Sequence, residues 1–148
     1  MIRWFSALAV RQALARMQVL GGGMTEADAG KALSDAQAEY AITIVGPDMA
    51  PFLKVEEKDL ATKSYLQPKN GDKTAATHVA IQRIPGGKPE DPRSIAAVVF
   101  YFTKKTAADA PLLSANTKSV EFACESGKAT IKASFELSKM AGPGGPDW

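Results

Sequence analysis

The chain has 148 residues, 45% of them apolar and 23% charged, with 18 Lys and Arg against 16 Asp and Glu. Those proportions fit one ordinary globular domain, and they exclude a disordered charged tail or a bundle of membrane helices. One Cys and one His exclude an intrachain disulfide framework, zinc sites built from several Cys and His, CxxC redox pairs and multi-histidine metal centres, and a net charge of +2 falls short of the concentrated basic face of a nucleic-acid binder.

Residues 1–25 carry Arg3, Arg11 and Arg16 and no acid. A basic start followed by the run from Trp4 to Val10 has the form of the n- and h-regions of a secretory signal, with Ala13-Leu14-Ala15 as an A-x-A cleavage site. The run is at the lower limit of length, and Arg11 separates it from the cut; a helix of mixed character is the alternative. A membrane span is excluded, because spanning needs about 20 consecutive apolar residues. The three arginines fall at well-separated helical angles and do not make the polar face of a membrane-surface helix. Residues 1–25 are therefore expected to serve as a targeting, docking or membrane-associating segment, which favours an extracytoplasmic or membrane-associated location over the cytoplasm. Gly21-Gly22-Gly23 is a flexible break and not a phosphate loop, since no Lys-Ser or Lys-Thr follows at the required distance. Thr25 with Asp28 resembles a helix N-cap, and the Ala-rich run through Ala38 has good helix propensity but only Leu33 as a large apolar residue. Residues 26–39 are expected as a weak helix or linker.

From Tyr40 the apolar period changes to two. Tyr40, Ile42 and Ile44 alternate with Ala41, Thr43 and Val45, and Gly46-Pro47-Asp48 ends the strand. Residues 51–68 read either as short strands at 52–55 and 62–66 around a Glu56-Glu57-Lys58-Asp59 turn, or as one helix starting at Pro51; the lack of an apolar stripe at 3.6 favours strands. Residues 77–84 form a further strand, ended by Pro85-Gly86-Gly87. Residues 95–103 are apolar on both faces, the mark of a central strand covered above and below. Residues 104–118 read as a connection. Residues 119–125 and 128–137 flank Ser126-Gly127 as a two-residue hairpin loop. That loop pairs Glu125 with Lys128, Ala123 with Thr130 and Glu121 with Lys132 outside, and Cys124 with Ala129, Phe122 with Ile131 and Val120 with Ala133 inside.

Five to six or more strands without intervening long helices predict a mainly β chain: an antiparallel β-sandwich or open barrel over residues 40–140, preceded by a partly helical N-terminal segment and followed by a Gly/Pro-rich tail at 141–148. An immunoglobulin-like arrangement would lack its cysteine pair and buried tryptophan, because Trp4 and Trp148 both lie outside that span.

The chemistry available is sparse. His78 is the only imidazole for general base work, on the polar side of its strand and with no nucleophile elbow to accompany it. Cys124 is expected as core filler with a raised pKa. The acids at 56–59 and 90–91 lack calcium-loop spacing, and Lys58 would repel the ion. Lys69, Lys73, Lys104 and Lys105 near Tyr101 and Phe102 resemble a stacking platform only if Tyr101 is exposed, and Asp72 interrupts the patch. No catalytic, cofactor-binding or metal-ligating residue is assigned, and no cofactor is expected. The resulting expectation is a non-catalytic β-sandwich interaction module, a small accessory subunit of an exported or membrane-associated assembly, with a protein partner and no nucleic acid. Two alternatives stand beside it: a carrier of a small apolar ligand in a partly open barrel, with its cavity along Phe100–Phe102, and a hydrolase using His78.

Overall fold

The structure, a computed structural model, describes all residues except 6, 35–37, 107, 143–144 and 147. The chain is mainly β, with two four-stranded antiparallel sheets packed face to face. Sheet A has the order β1 (Ile2–Trp4), β2 (Glu39–Ile44), β6 (Ile95–Thr103), β5 (His78–Arg83); sheet B has the order β4 (Thr74–Ala75), β3 (Ser64–Pro68), β7 (Ser119–Ser126), β8 (Ala129–Glu136). Between β1 and β2 run two helices, α1 (Leu8–Leu20) and α2 (Glu26–Ser34), and a short α3 (Glu57–Thr62) precedes β3.

The core lies where the two sheets meet. Alternation sends Ile42 and Ile44 of β2 and Val98, Phe100 and Phe102 of β6 inward, against Leu66, Val120, Phe122 and Cys124 of sheet B. Phe122 receives Phe100 edge-on at 5.1 Å and Phe102 at 6.1 Å, so aromatic rings meet along Phe100–Phe102, where the ligand-carrier alternative placed its cavity. β6 occupies the central position that its two-sided hydrophobicity implied.

Several elements differ from expectation. β1 is a strand of sheet A, and its Trp4 is buried in the core with edge-on contacts to Tyr40 and Phe135. Three residues are too few to show a period of two. The expected strand at 52–55 is absent: residues Ala50–Phe52 form a 3-10 turn, and the acidic cluster is helix α3, with Glu57 and Asp59 in its first turn where the helix dipole favours them. A six-residue helix cannot display a 3.6 stripe, although Leu60 is fully buried beneath it. The strand expected at 62–66 is present as β3.

The last hairpin forms, but its loop is Gly127-Lys128. Ser126 pairs with Ala129, Cys124 with Ile131, Phe122 with Ala133 and Val120 with Phe135. The buried Ser126 hydroxyl donates to the Pro51 carbonyl at 2.7 Å, which holds Ser126 as a strand residue. Gly127 then takes the first loop position with φ +59°, as a type II′ turn requires. The shift is two residues in pairing, so every side chain keeps its face. In the tail, Gly145 pairs with Gly142 and Pro146 with Ala141, a minimal pairing where irregular chain was expected; residues 143–144 and 147 lie outside the described residues, as do residues 35–37 of the weak helix or linker expected at 26–39.

Candidate functional site

A recess lies on the outer face of sheet A, beneath α1. Helix α1 is rich in Ala, Leu, Arg, Gln and Met, all strong helix formers. Its Val10, Ala13, Leu14 and Met17 follow i, i+3, i+4, i+7 spacing and line the helix side of the recess, Val10 and Leu14 half-buried and Ala13 and Met17 exposed. The sheet meets that face with small or short residues, Thr43, Val45, Ala97 and Val99. Helix and sheet therefore do not close, and a groove of about 630 Å³ remains between them. Arg3 and Gln82 stand on opposite sides of its floor, on the edge strands β1 and β5.

The helix is held from its far side. Arg11 donates to the carbonyls of Ala32 and Leu33 at the end of α2. Thr25 and Asp28 cap the start of α2 as the sequence implied: the Thr25 Oγ1 accepts from the Asp28 backbone N–H at 3.1 Å, and its hydroxyl donates to the Asp28 carboxylate at 2.7 Å. A smaller hollow of about 350 Å³, sharing Phe5 and Leu14 with the groove, separates the two helices. The N-terminal hairpin thus rests on the sheet with space on both sides of α1.

One atom in the groove is out of place energetically. Thr43 is 5% exposed, and its Oγ1 has no hydrogen-bond partner. A buried hydroxyl without a partner carries a desolvation cost of about 1–3 kcal/mol. Thr43 sits directly across from Arg3 in the β1–β2 register, on the same face. The Arg3 guanidinium is exposed, touches the Met1 thioether through Nε, and pairs with no carboxylate among the described residues. No Asp or Glu among the described residues lines the groove. Among the described residues Trp4 Nε1 is the other buried side-chain polar atom without a partner, and the Trp4 ring lies in the inter-sheet core.

The residues singled out in the sequence lie elsewhere. His78 stacks parallel on Tyr101, with ring centres 4.2 Å apart. Its Nδ1 lies 3.3 Å from the Thr77 hydroxyl and 3.8 Å from Glu39 Oε2. The single Thr77 proton is also within reach of Glu39 and of the Tyr101 carbonyl at 3.0 Å. A catalytic triad divides its work between two ring nitrogens, one for the acid and one for the nucleophile. Here acid and hydroxyl both approach Nδ1, and the cluster acts as a latch joining β2, β5 and β6.

Cys124 is fully buried; burial pushes its thiol pKa up, partly offset by a hydrogen bond with Ser64. In the acidic cluster, Glu57 accepts the Ile81 backbone N–H at 2.6 Å and so covers the edge of β5. Asp91 is held below the usual carboxylate range by the Arg93 side chain and backbone. Lys73 lies over Tyr65 at 4.2 Å, Lys104 over Tyr40 at 5.2 Å, and Lys105 pairs with Asp109 at 2.7 Å, so these cations serve separate partners. Among the described residues no group of three or more His, Cys, Asp and Glu converges as a metal site, and no helix is long and apolar enough to cross a membrane. The groove residues were not identified from sequence; the one available signal was Thr43, a hydroxyl set between Ala41 and Val45.

No protein-family model matches the chain, and no curated protein or solved structure matches it.

Proposed function

We propose that the protein is a non-catalytic binding module that takes a small, mainly apolar molecule into the groove between α1 and the outer face of sheet A. The observation that carries this reading is an apolar recess of about 630 Å³ with a buried, unpartnered hydroxyl in its wall. Ligand sites are typically 300–1,000 Å³, mostly apolar, with a few polar groups that fix orientation. The recess lies outside the sandwich, on the face of β6 opposite Phe100 and Phe102. It is preferred to protein contact through the N-terminal segment, because a concave space with an unmet hydroxyl suits a small molecule better than a flat partner face.

A neutral apolar dye tests this. Nile red is expected to bind saturably at one site per chain, and Ala97→Phe, which places a ring in the groove, is expected to abolish that signal without unfolding the protein. Unsaturable binding, or saturable binding unchanged by Ala97→Phe, would overturn the reading.

A further inference from the structure

The groove's polar groups are asymmetric, and their placement names the class of ligand; this inference rests on the groove being a binding site. Arg3 and Thr43 are cross-strand neighbours, and such pairs hold their Cβ atoms about 4.5–5.5 Å apart. A guanidinium without a carboxylate partner and a buried hydroxyl without any partner therefore share one end of the floor. From there the floor runs across β2 and β6, over Thr43, Val99 and Ala97, to Gln82 on β5. Three interstrand spacings cover about 14 Å, room for an extended alkyl chain of about ten carbons. The roof over that path is Val10, Leu14 and Met17.

We propose that the groove binds a singly anionic amphiphile, a medium-chain carboxylate, with its head on Arg3 and Thr43 and its chain across β6 beneath α1. The head accepts from the guanidinium and from the Thr43 hydroxyl, which supplies that buried atom with its missing partner. The chain replaces water on the small residues of the floor, so each added methylene tightens binding about fourfold until the floor ends.

The test is displacement of Nile red by decanoate, decanol and decyltrimethylammonium at low salt. Decanoate is expected to bind about tenfold more tightly than decanol, with the cation weakest, and the advantage is expected to shrink as salt rises. Arg3→Gln should bring decanoate down to the level of decanol and leave decanol unchanged. Thr43→Val should weaken decanoate about fivefold while leaving thermal stability equal or raised, because it removes an unsatisfied hydroxyl and keeps the shape. Equal binding of decanoate and decanol, or an Arg3→Gln protein that retains the preference, would overturn this inference and leave the groove as an apolar site. A Thr43→Val protein that is less stable than wild type would also overturn it, because the hydroxyl would then have a structural partner. Failure of Nile red to bind saturably would remove the underlying reading instead.

Discussion

The two faces of β6 belong to one strand with the same neighbours, yet they are covered in different ways. Toward sheet B it presents Val98, Phe100 and Phe102, none of them exposed, and aromatic rings from both sheets close over them. Away from sheet B it presents Ala97, Val99 and Tyr101; His78 stacks on Tyr101, and the cover over Ala97 and Val99 is a helix that does not reach the floor everywhere. The outer face of sheet B is different again. Ala123 is buried there between its register partners Tyr65 and Lys132, and Lys73 lies over the Tyr65 ring. That face covers itself with its own long side chains, whereas the outer face of sheet A depends on an element that arrives from elsewhere in the chain. Packing density is therefore greatest where two sheets supply interlocking residues, and space is left where one element is laid over another.

Large-to-small changes separate the two faces of β6 most strongly. Phe100→Ala is expected to cost about 3–5 kcal/mol, because the cavity it leaves cannot collapse between two sheets. Val99→Ala, which only widens a groove that is already open, is expected to cost about 1 kcal/mol. Urea denaturation of both variants measures the difference; equal costs would mean that α1 closes on the sheet as tightly as sheet B does. Small-to-large changes give the converse comparison. Val98→Phe is expected to cost about 1–3 kcal/mol through overpacking, whereas Ala97→Phe should stay within about 0.5 kcal/mol of wild type.

Alkaline titration probes the closed face. Burial pushes the Tyr40 hydroxyl and the Cys124 thiol up from their ordinary values. Above pH about 9 for the thiol and about 10 for the phenol, the unfolded chain loses these protons and the folded chain keeps them. The unfolded state then binds fewer protons, so stability falls as pH rises, with a slope of at most about 1.4 kcal/mol per pH unit for each group. Tyr40→Phe and Cys124→Ala should each flatten the fall. A profile unchanged in the double variant would place both groups in contact with solvent.

The closed face was largely legible in the sequence and the open one was not. β6 could be bounded from Ile95 to Thr103 because its two-sided hydrophobicity is a property of the strand alone. The inward residues of β7 and β8 could be assigned because a period of two survives an error in the loop. The loop itself was misplaced because Ser126-Gly127 and Gly127-Lys128 are both two-residue turns containing glycine; the choice is made by the bond from Ser126 to Pro51, 75 positions away. β1 was concealed by its three-residue length and by a basic-aromatic composition shared with leader segments. The groove had Thr43 as its one local signal. Ala97 and Val99 look like core residues until α1 is placed above them, and the meaning of Thr43 depends on Arg3 being brought beside it by the β1–β2 register.

The turn that sets the faces of sheet B offers a smaller effect. Gly127 has φ +59° with open space where a Cβ would sit, so Gly127→Ala meets backbone strain and no clash. A cost of about 1 kcal/mol is expected in thermal or urea unfolding. A neutral substitution would mean that Gly127 does not hold a positive φ in the folded chain.

The smallest effect is the most specific test of register. On the outer face of sheet B, Lys132 Nζ lies 3.7 Å from Glu121 Oε1, but the residue directly across from Glu121 is Ser134. The ion pair is therefore diagonal, exposed at both ends, and shares Glu121 with the Tyr65 hydroxyl at 3.2 Å. A double-mutant cycle of Glu121→Gln and Lys132→Met should give a coupling of about 0.2–0.5 kcal/mol, lost as salt approaches 1 M. A directly opposed pair holds its charges closer and would couple more strongly, up to about 1 kcal/mol. A coupling at that upper value would place Lys132 directly across from Glu121 and so shift β8 by two residues along β7. The groove under α1 would be untouched by that shift, because none of its lining residues belongs to sheet B.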